Sequence, residues 1–229
     1  MSKVIVIFGA GKGLSASVAK LYGKQGHHVA LVARNKEKLE LLSDDIQFQG
    51  IKTSTYIADL SKPEQVVKVV SKIENQLGRI DVIYYAPNPK DTFTPANELT
   101  PEILAPKVDL YFYGLINVIN EVLPLLRKNK GGEILTAIGG SAVDGFPFMS
   151  GLGPVMAASR NYLQSLQKEL IQENIKIGLI TISAQIKNSE SYDETQSKDS
   201  QFPVVHSDDL ALLLEDVAND PERLEVFYP

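Results

Sequence analysis

The chain has 229 residues, 44% hydrophobic and 22% charged, with a formal net charge of -5. This composition supports a packed core rather than disorder, and the acidic balance disfavours a binder of phosphate backbones. With no cysteine, disulfides, thiolate chemistry and Cys-based zinc sites are excluded; His27, His28 and His206 form no metal motif, so no metal is expected.

The first apolar run, 4–8, is too short for a membrane span and leads into glycine, so it reads as a buried strand. No targeting segment is visible, and the cytoplasm is the expected location, with neither membrane nor nucleic acid as a partner. Further strand-length runs follow at 29–33, 53–57, 80–85, 133–138 and 175–182, and a short last one at 224–228. Most are continuously apolar, as in strands covered on both faces. Helical patterns lie between them at 13–25, 35–48, 63–77, 101–128, 154–173 and 207–219. The alternation predicts an α/β fold of parallel βαβ units in a doubly wound sheet, as one domain over 1–229. Ser61, with Glu64 three residues on, reads as a helix cap, and Thr100-Pro101 as another. Gly131-Gly132 ends the long helix. The polar, aperiodic stretch 188–200 is the expected mobile loop.

Strand one runs into Gly9-Ala10-Gly11-Lys12-Gly13-Leu14-Ser15, and a helix follows. Glycines there permit a tight turn and let backbone N–H groups approach a pyrophosphate at the helix start. A plain turn is the alternative, but strand before and helix after strengthen the nucleotide reading. Strand two ends Ala33-Arg34-Asn35. An enzyme using NAD places an acid there for the ribose 2′-OH; here Ala33 stands in that place, Arg34 follows, and Lys12 adds a second cation. The alternative is that both charges are solvated surface groups. Ala58-Asp59-Leu60 follows strand three.

These features resemble the short-chain dehydrogenase/reductase family along essentially the whole chain. Gly9 and Gly13 match the family's Thr-Gly-x-x-x-Gly-x-Gly motif, with Phe8 for the threonine and Ser15 for the last glycine. The resemblance implies a Rossmann-like fold of about seven parallel strands with helices on both faces. It also implies NADP(H) as cofactor, held by Gly9, Gly11, Lys12, Gly13, Leu14, Arg34, Asn35, Asp59, Leu60 and Ala86. Asp59 would accept from the adenine amino group, or serve as a turn or cap. Helices 101–128 and 154–173 would form a homodimer or homotetramer interface, with Ile116, Val118, Ile119, Val122 and Leu123 as apolar surface.

The resemblance fails at the chemistry. The family uses a tyrosine as proton donor, a lysine four residues on, a serine, and an asparagine on the preceding helix. Counting back from 165–170 puts Leu152 at the tyrosine, Met156 at the lysine, Gly139 (beside Gly140) at the serine and Tyr111 at the asparagine. Tyr84-Tyr85-Ala86-Pro87 replaces Asn-Asn-Ala-Gly, and Ile182-Ser183-Ala184-Gln185 replaces the Pro-Gly turn. Tyr111, Tyr85 and Ser141 are the remaining candidates for proton transfer, against the plainer reading that such residues pack the core. Asp144 reads as a turn residue and Arg160 as a surface or interface charge. Phe146, Pro147, Phe148, Met149 and Leu152 line a hydrophobic substrate pocket or pack the core. The expectation is an atypical NADP(H)-dependent oxidoreductase acting on a small hydrophobic carbonyl or enone. A non-catalytic NADPH-binding sensor acting through a partner is the alternative.

Overall fold

A computed structural model describes residues 2–87, 93–190, 192, 202–220 and 223–228. Seven strands form one sheet in the order β3-β2-β1-β4-β5-β6-β9, every neighbouring pair parallel. They are β1 Val4–Phe8, β2 His28–Ala33, β3 Thr53–Ile57, β4 Val82–Tyr85, β5 Gly132–Gly139, β6 Ile175–Ile182 and β9 Glu225–Tyr228. The helices are α1 Leu14–Lys24, α2 Lys36–Phe48, α3 Pro63–Leu77, α4 Pro101–Lys107, α5 Gly114–Lys128, α6 Gly153–Leu170 and α7 Ser207–Asn219.

The doubly wound fold follows from β1. Its side chains alternate between faces, and all five are buried. Val4, Val6 and Phe8 join one core with α3, α5 and α6; Ile5 and Ile7 join the other with α1, α2 and α7. A strand covered on both sides must be apolar throughout, which is why the run is unbroken. Chain order reverses beside β1, between β2 and β4, and a crevice opens there at the carboxyl ends of the strands. Among the described residues no helix is long and apolar enough to cross a membrane.

Several expectations are corrected. The helix expected over 101–128 is broken by a π-helical turn, Val108–Tyr113. Pro106, inside α4, has no N–H to donate, and side chains take carbonyls of the wider turn: the Tyr85 phenol binds the Leu110 carbonyl and Ser159 Oγ donates to the Tyr111 carbonyl at 3.0 Å. Strand four begins at Val82, not at 80, because the buried Asp81 carboxylate accepts from Val4 N at 2.9 Å and from Arg79 Nε at 2.8 Å. Ser61 is not a cap: its Oγ and N donate to Asp59 Oδ1 at 2.8 and 3.0 Å, and α3 starts after Lys62 with Pro63 at its first turn. Thr100 does cap α4, accepting from Ile103 N at 3.4 Å. Val118, Ile119 and Val122 face the core, leaving only Ile116 and Leu123 of that apolar set partly exposed. A two-stranded parallel pair, β7 Gln185–Lys187 with β8 Val204–His206, had no periodicity to announce it. Of the loop expected over 188–200, residues 191 and 193–200 lie outside the described residues.

Gly114 is where the π turn meets the sheet. A Cβ there would contact the Tyr85 phenol and stand 2.7 Å from the Leu60 carbonyl. Gly114→Ala is therefore expected to lower unfolding free energy by about 1–3 kcal/mol, read from the urea midpoint at unchanged slope. An unchanged midpoint would mean that the π turn yields freely.

Candidate functional site

The crevice is a cleft of about 1140 Å³ bounded by the β1–α1 loop, the end of β2, the start of α2 and the segment after β7. Its floor is the glycine loop. Gly9 has φ +90, and a Cβ there would stand 2.5 Å from Pro87 Cα. Gly9 N and Ala10 N both donate to the Val32 carbonyl, at 3.0 and 2.9 Å. Gly13, with φ +80, is the N-cap of α1, so the helix begins by pointing its free N–H groups toward the cleft. Ser15 is buried and its Oγ donates to the Gly9 carbonyl at 3.2 Å, closing the loop on itself. A side chain at Gly11, by contrast, would meet nothing within 4 Å, so sterics do not demand glycine there.

Of the expected nucleotide residues, Gly9, Gly11, Lys12, Gly13, Arg34, Asn35 and Leu60 line the cleft. Leu14 instead packs in the core beneath α1, and Ala86 N is bonded to the Phe8 carbonyl at 3.2 Å. Asn35 has a second duty as the N-cap of α2, accepting from Lys38 N at 2.9 Å. Asp59 is not in the cleft wall, and its Oδ1 closes the turn at Ser61. Partial burial pushes the Asp59 carboxyl up, but the Ser61 hydrogen bonds and the charges of Arg34 and Lys62 outweigh it and hold the group below the usual range. Sequence reading missed Lys38, Asn188 and Glu190, which also line the cleft. Lys38 was findable as the cation one helical turn beyond Arg34; Asn188 and Glu190, in an aperiodic polar run, carried no signal.

The chemical end looks different. Leu152 is the N-cap of α6, whereas Met156 reaches the end of β5, its Sδ accepting from Gly139 N at 3.3 Å. Neither Leu152 nor Met156 carries a proton to donate, and Arg160 lies one helical turn beyond Met156. Arg160 is turned to β9, where Glu225 holds it: Nε donates to both carboxylate oxygens at 2.9 Å, and Thr181 Oγ1 binds the same carboxylate at 2.6 Å. Its guanidinium also lies 5.6 Å from the Phe227 ring.

Tyr85 is buried with its phenol committed to the Leu110 carbonyl; burial, then the nearby Tyr111 phenol and Asp59, push its pKa far above the usual range. Burial alone does the same to Tyr84. Tyr111 is also buried. Ser141 is buried as well, its Oγ without a hydrogen-bond partner and 3.6 Å from where a Gly139 Cβ would stand. A Cβ at Gly140 would collide with Ser183 Oγ, so that hydroxyl fills space at the end of β5 from the neighbouring strand. Asp144 N closes a turn on the Gly140 carbonyl at 3.1 Å. The 146–152 stretch is partly exposed surface, pinned by Thr94 N to the Phe148 carbonyl at 2.9 Å and by Ser150 Oγ to the Thr94 carbonyl at 2.9 Å.

Residues 3–193 match the family model for short chain dehydrogenases. The chain belongs to that family. An uncharacterized oxidoreductase of Listeria monocytogenes is 26% identical over 204 residues, covering 87% of this chain and 80% of the relative. Among solved structures, L-sorbose reductase from Gluconobacter frateurii, complexed with NADPH and L-sorbose, superposes with TM-score 0.88 at 18% identity over 100% of this chain and 95% of that one. A short-chain oxidoreductase of Pseudomonas aeruginosa PAO1, described as containing an atypical catalytic center, gives TM-score 0.87 at 18% identity over 98% and 95%.

Tyr85→Phe leaves the Leu110 carbonyl without its donor. It is expected to cost about 1–3 kcal/mol of stability and to leave nucleotide affinity unchanged. Lost affinity at unchanged stability would place the phenol in the site instead.

Proposed function

We propose that this member of the family is an NADP(H)-dependent oxidoreductase that works without a Tyr-x-x-x-Lys proton relay. The charge of the cleft carries the reading: Lys12, Arg34 and Lys38 all line it, and Ala33 takes the place of a ribose-binding acid. The residues fit a dinucleotide. Gly9 and Gly13 hold positive φ where the backbone must come close, and the N-terminus of α1 favours an anion. Arg34 presents a planar fork suited to a phosphate, and Lys12 adds a point charge. Bound NADPH would supply the hydride.

This chain's own residues then have limited tasks. Ser141 and Ser183 carry hydroxyls to the ends of β5 and β6, where they orient a carbonyl oxygen. Phe146, Met149 and Leu152 favour an apolar substrate, so the substrate class is a small hydrophobic carbonyl or enone. The proton comes from water, from the substrate or from Tyr111. A positioned general acid is worth about 10²–10⁴-fold in rate, so an activated acceptor tolerates its loss. Ile116 and Leu123 on α5 support association into a homodimer or homotetramer, and the cytoplasm remains the proposed location.

A second reading is a non-catalytic NADPH-binding sensor that acts through a partner protein. It is favoured by Leu152 and Met156, which stand at the expected tyrosine and lysine positions and carry no proton to transfer, the Met156 thioether being taken up by Gly139 N.

Calorimetric titration with NADPH and NADH, followed by NADPH consumption with enones and quinones, tests both. Arg34→Ala is expected to weaken NADPH by about tenfold or more and NADH little, because only NADPH carries the 2′-phosphate. Equal weakening of the two would sink the cofactor assignment. Ser141→Ala is expected to slow turnover while leaving NADPH affinity intact; NADPH binding with no turnover on any acceptor would select the sensor.

A further inference from the structure

The chain leaving β6 turns back across the nucleotide cleft. β7 and β8 pair as a short ribbon, and Asn188–Glu190 follow β7 over the glycine loop. Asn188 makes the bend in the left-handed region, at φ 68, which asparagine tolerates better than most residues. Ser189 N closes the turn on the Ile186 carbonyl at 3.2 Å. Ser189 then sits on Gly13: its Cα and Cβ lie 3.0 Å from where a Gly13 Cβ would stand. The next residue, Glu190, meets Lys38 Nζ at 2.7 Å. Lys38 lies in the first turn of α2, its backbone N fixed by the Asn35 cap, so it belongs to the same β2–α2 junction as Arg34. Glu190, Lys38, Arg34 and Lys12 all line one cleft. An anion of the chain itself is thus held by one of the cations that line the cleft.

We propose that Glu190 is a built-in stand-in for the 2′-phosphate of NADPH, that Lys38 is a third cation for that phosphate, and that their ion pair latches residues 188–190 over the glycine loop. The inference rests on the NADP(H) reading above. A phosphate monoester carries more charge than a carboxylate and offers three acceptor oxygens, so it displaces Glu190 from Lys38 and opens the strap. NADH has only a hydroxyl at that position. It must break the same pair with no charge to put in its place, and the latch therefore adds to discrimination between the two nucleotides.

The two partners of the pair are expected to respond in opposite directions, which a pair that only stabilises the fold would not do. Both side chains are well exposed, 60% for Lys38 and 39% for Glu190, so neither substitution threatens folding. In calorimetric titrations with NADPH, Glu190→Gln is expected to bind about two- to fivefold more tightly than the parent, the range of an exposed ion pair. Lys38→Met is expected to bind about fivefold more weakly, because the phosphate loses a cation. With NADH both variants are expected to shift the same way, toward tighter binding, since each only releases the latch. NADPH affinity unchanged by Glu190→Gln, or moved in the same direction by both substitutions, overturns the latch and leaves the NADP(H) reading standing. Failure of the parent and both variants to bind NADPH overturns both.

Discussion

The site depends on one carbonyl. Val32, in the middle strand of the β3-β2-β1 trio, accepts from both Gly9 N and Ala10 N. That forked bond forces the chain to leave β1 sharply and holds Gly9 at φ +90, against the backbone of Pro87 at the end of β4. A side chain at Gly9 is excluded twice, by the dihedral and by the 2.5 Å approach to Pro87 Cα. With the turn so tight, α1 starts with its N-terminus in the crevice between β1 and β4, and the Ser15 hydroxyl ties it back to the Gly9 carbonyl. The crevice itself is a consequence of strand order. Helices cannot cover both sides of β1 at its carboxyl end, because β2 and β4 send their connections in opposite directions.

Charge is then placed against the background of the molecule. The chain is acidic overall, yet among the described residues five cations, Lys12, Lys20, Lys24, Arg34 and Lys38, line the cleft against three acids, Asp45, Glu190 and Asp208. The places of Arg34 and Lys38 follow from helix geometry. Asn35 caps α2, which fixes Arg34 just before the helix and Lys38 one turn inside it. A helix start already favours anions, so the cap, the dipole and the cations act in the same sense. Asp59 registers this field, since Arg34 is among the charges that hold its carboxyl low.

The sheet was largely legible because burial on both faces writes a strand as an unbroken apolar run. The glycine loop, Arg34 and Asn35 were legible because their chemistry demands particular residue types. What the sequence hid had other causes. The π turn at Val108–Tyr113 depends on side chains from β4 and α6 reaching its carbonyls, and neither partner is close in sequence. β7 and β8 are three residues each and largely polar or exposed, too short for any periodicity. α6, expected over 154–173, runs Gly153–Leu170 with a 3-10 turn at Ile171–Glu173 completing it; what the sequence did not show is that the Met156 side chain meets Gly139 N. Asp59 shows a different limit: one aspartate satisfies a turn, a charge pattern and a nucleotide motif alike, and type and spacing alone do not separate them.

The two halves of the site therefore stand under different constraints. The nucleotide half is held by backbone: a φ of +90, a forked hydrogen bond and a cap, none of which can drift without disturbing β1 and α2. The chemical half is held by side chains. Gly139, Gly140 and Met156 fit one another, with the thioether against a bare backbone N–H and Ser183 occupying the space that a side chain on Gly140 would need. A side chain at Gly140 would collide with Ser183, whereas one at Gly139 would meet Ser141 Oγ and Met156 Sδ at ordinary contact distances of 3.6 and 3.8 Å. Around the end of β5, hydroxyls stand at Ser141 and Ser183, and Arg160 is held by Glu225 on β9. The proposed reaction therefore has the Ser141 and Ser183 hydroxyls and the Met156 thioether beside it, and no Tyr-x-x-x-Lys pair on α6.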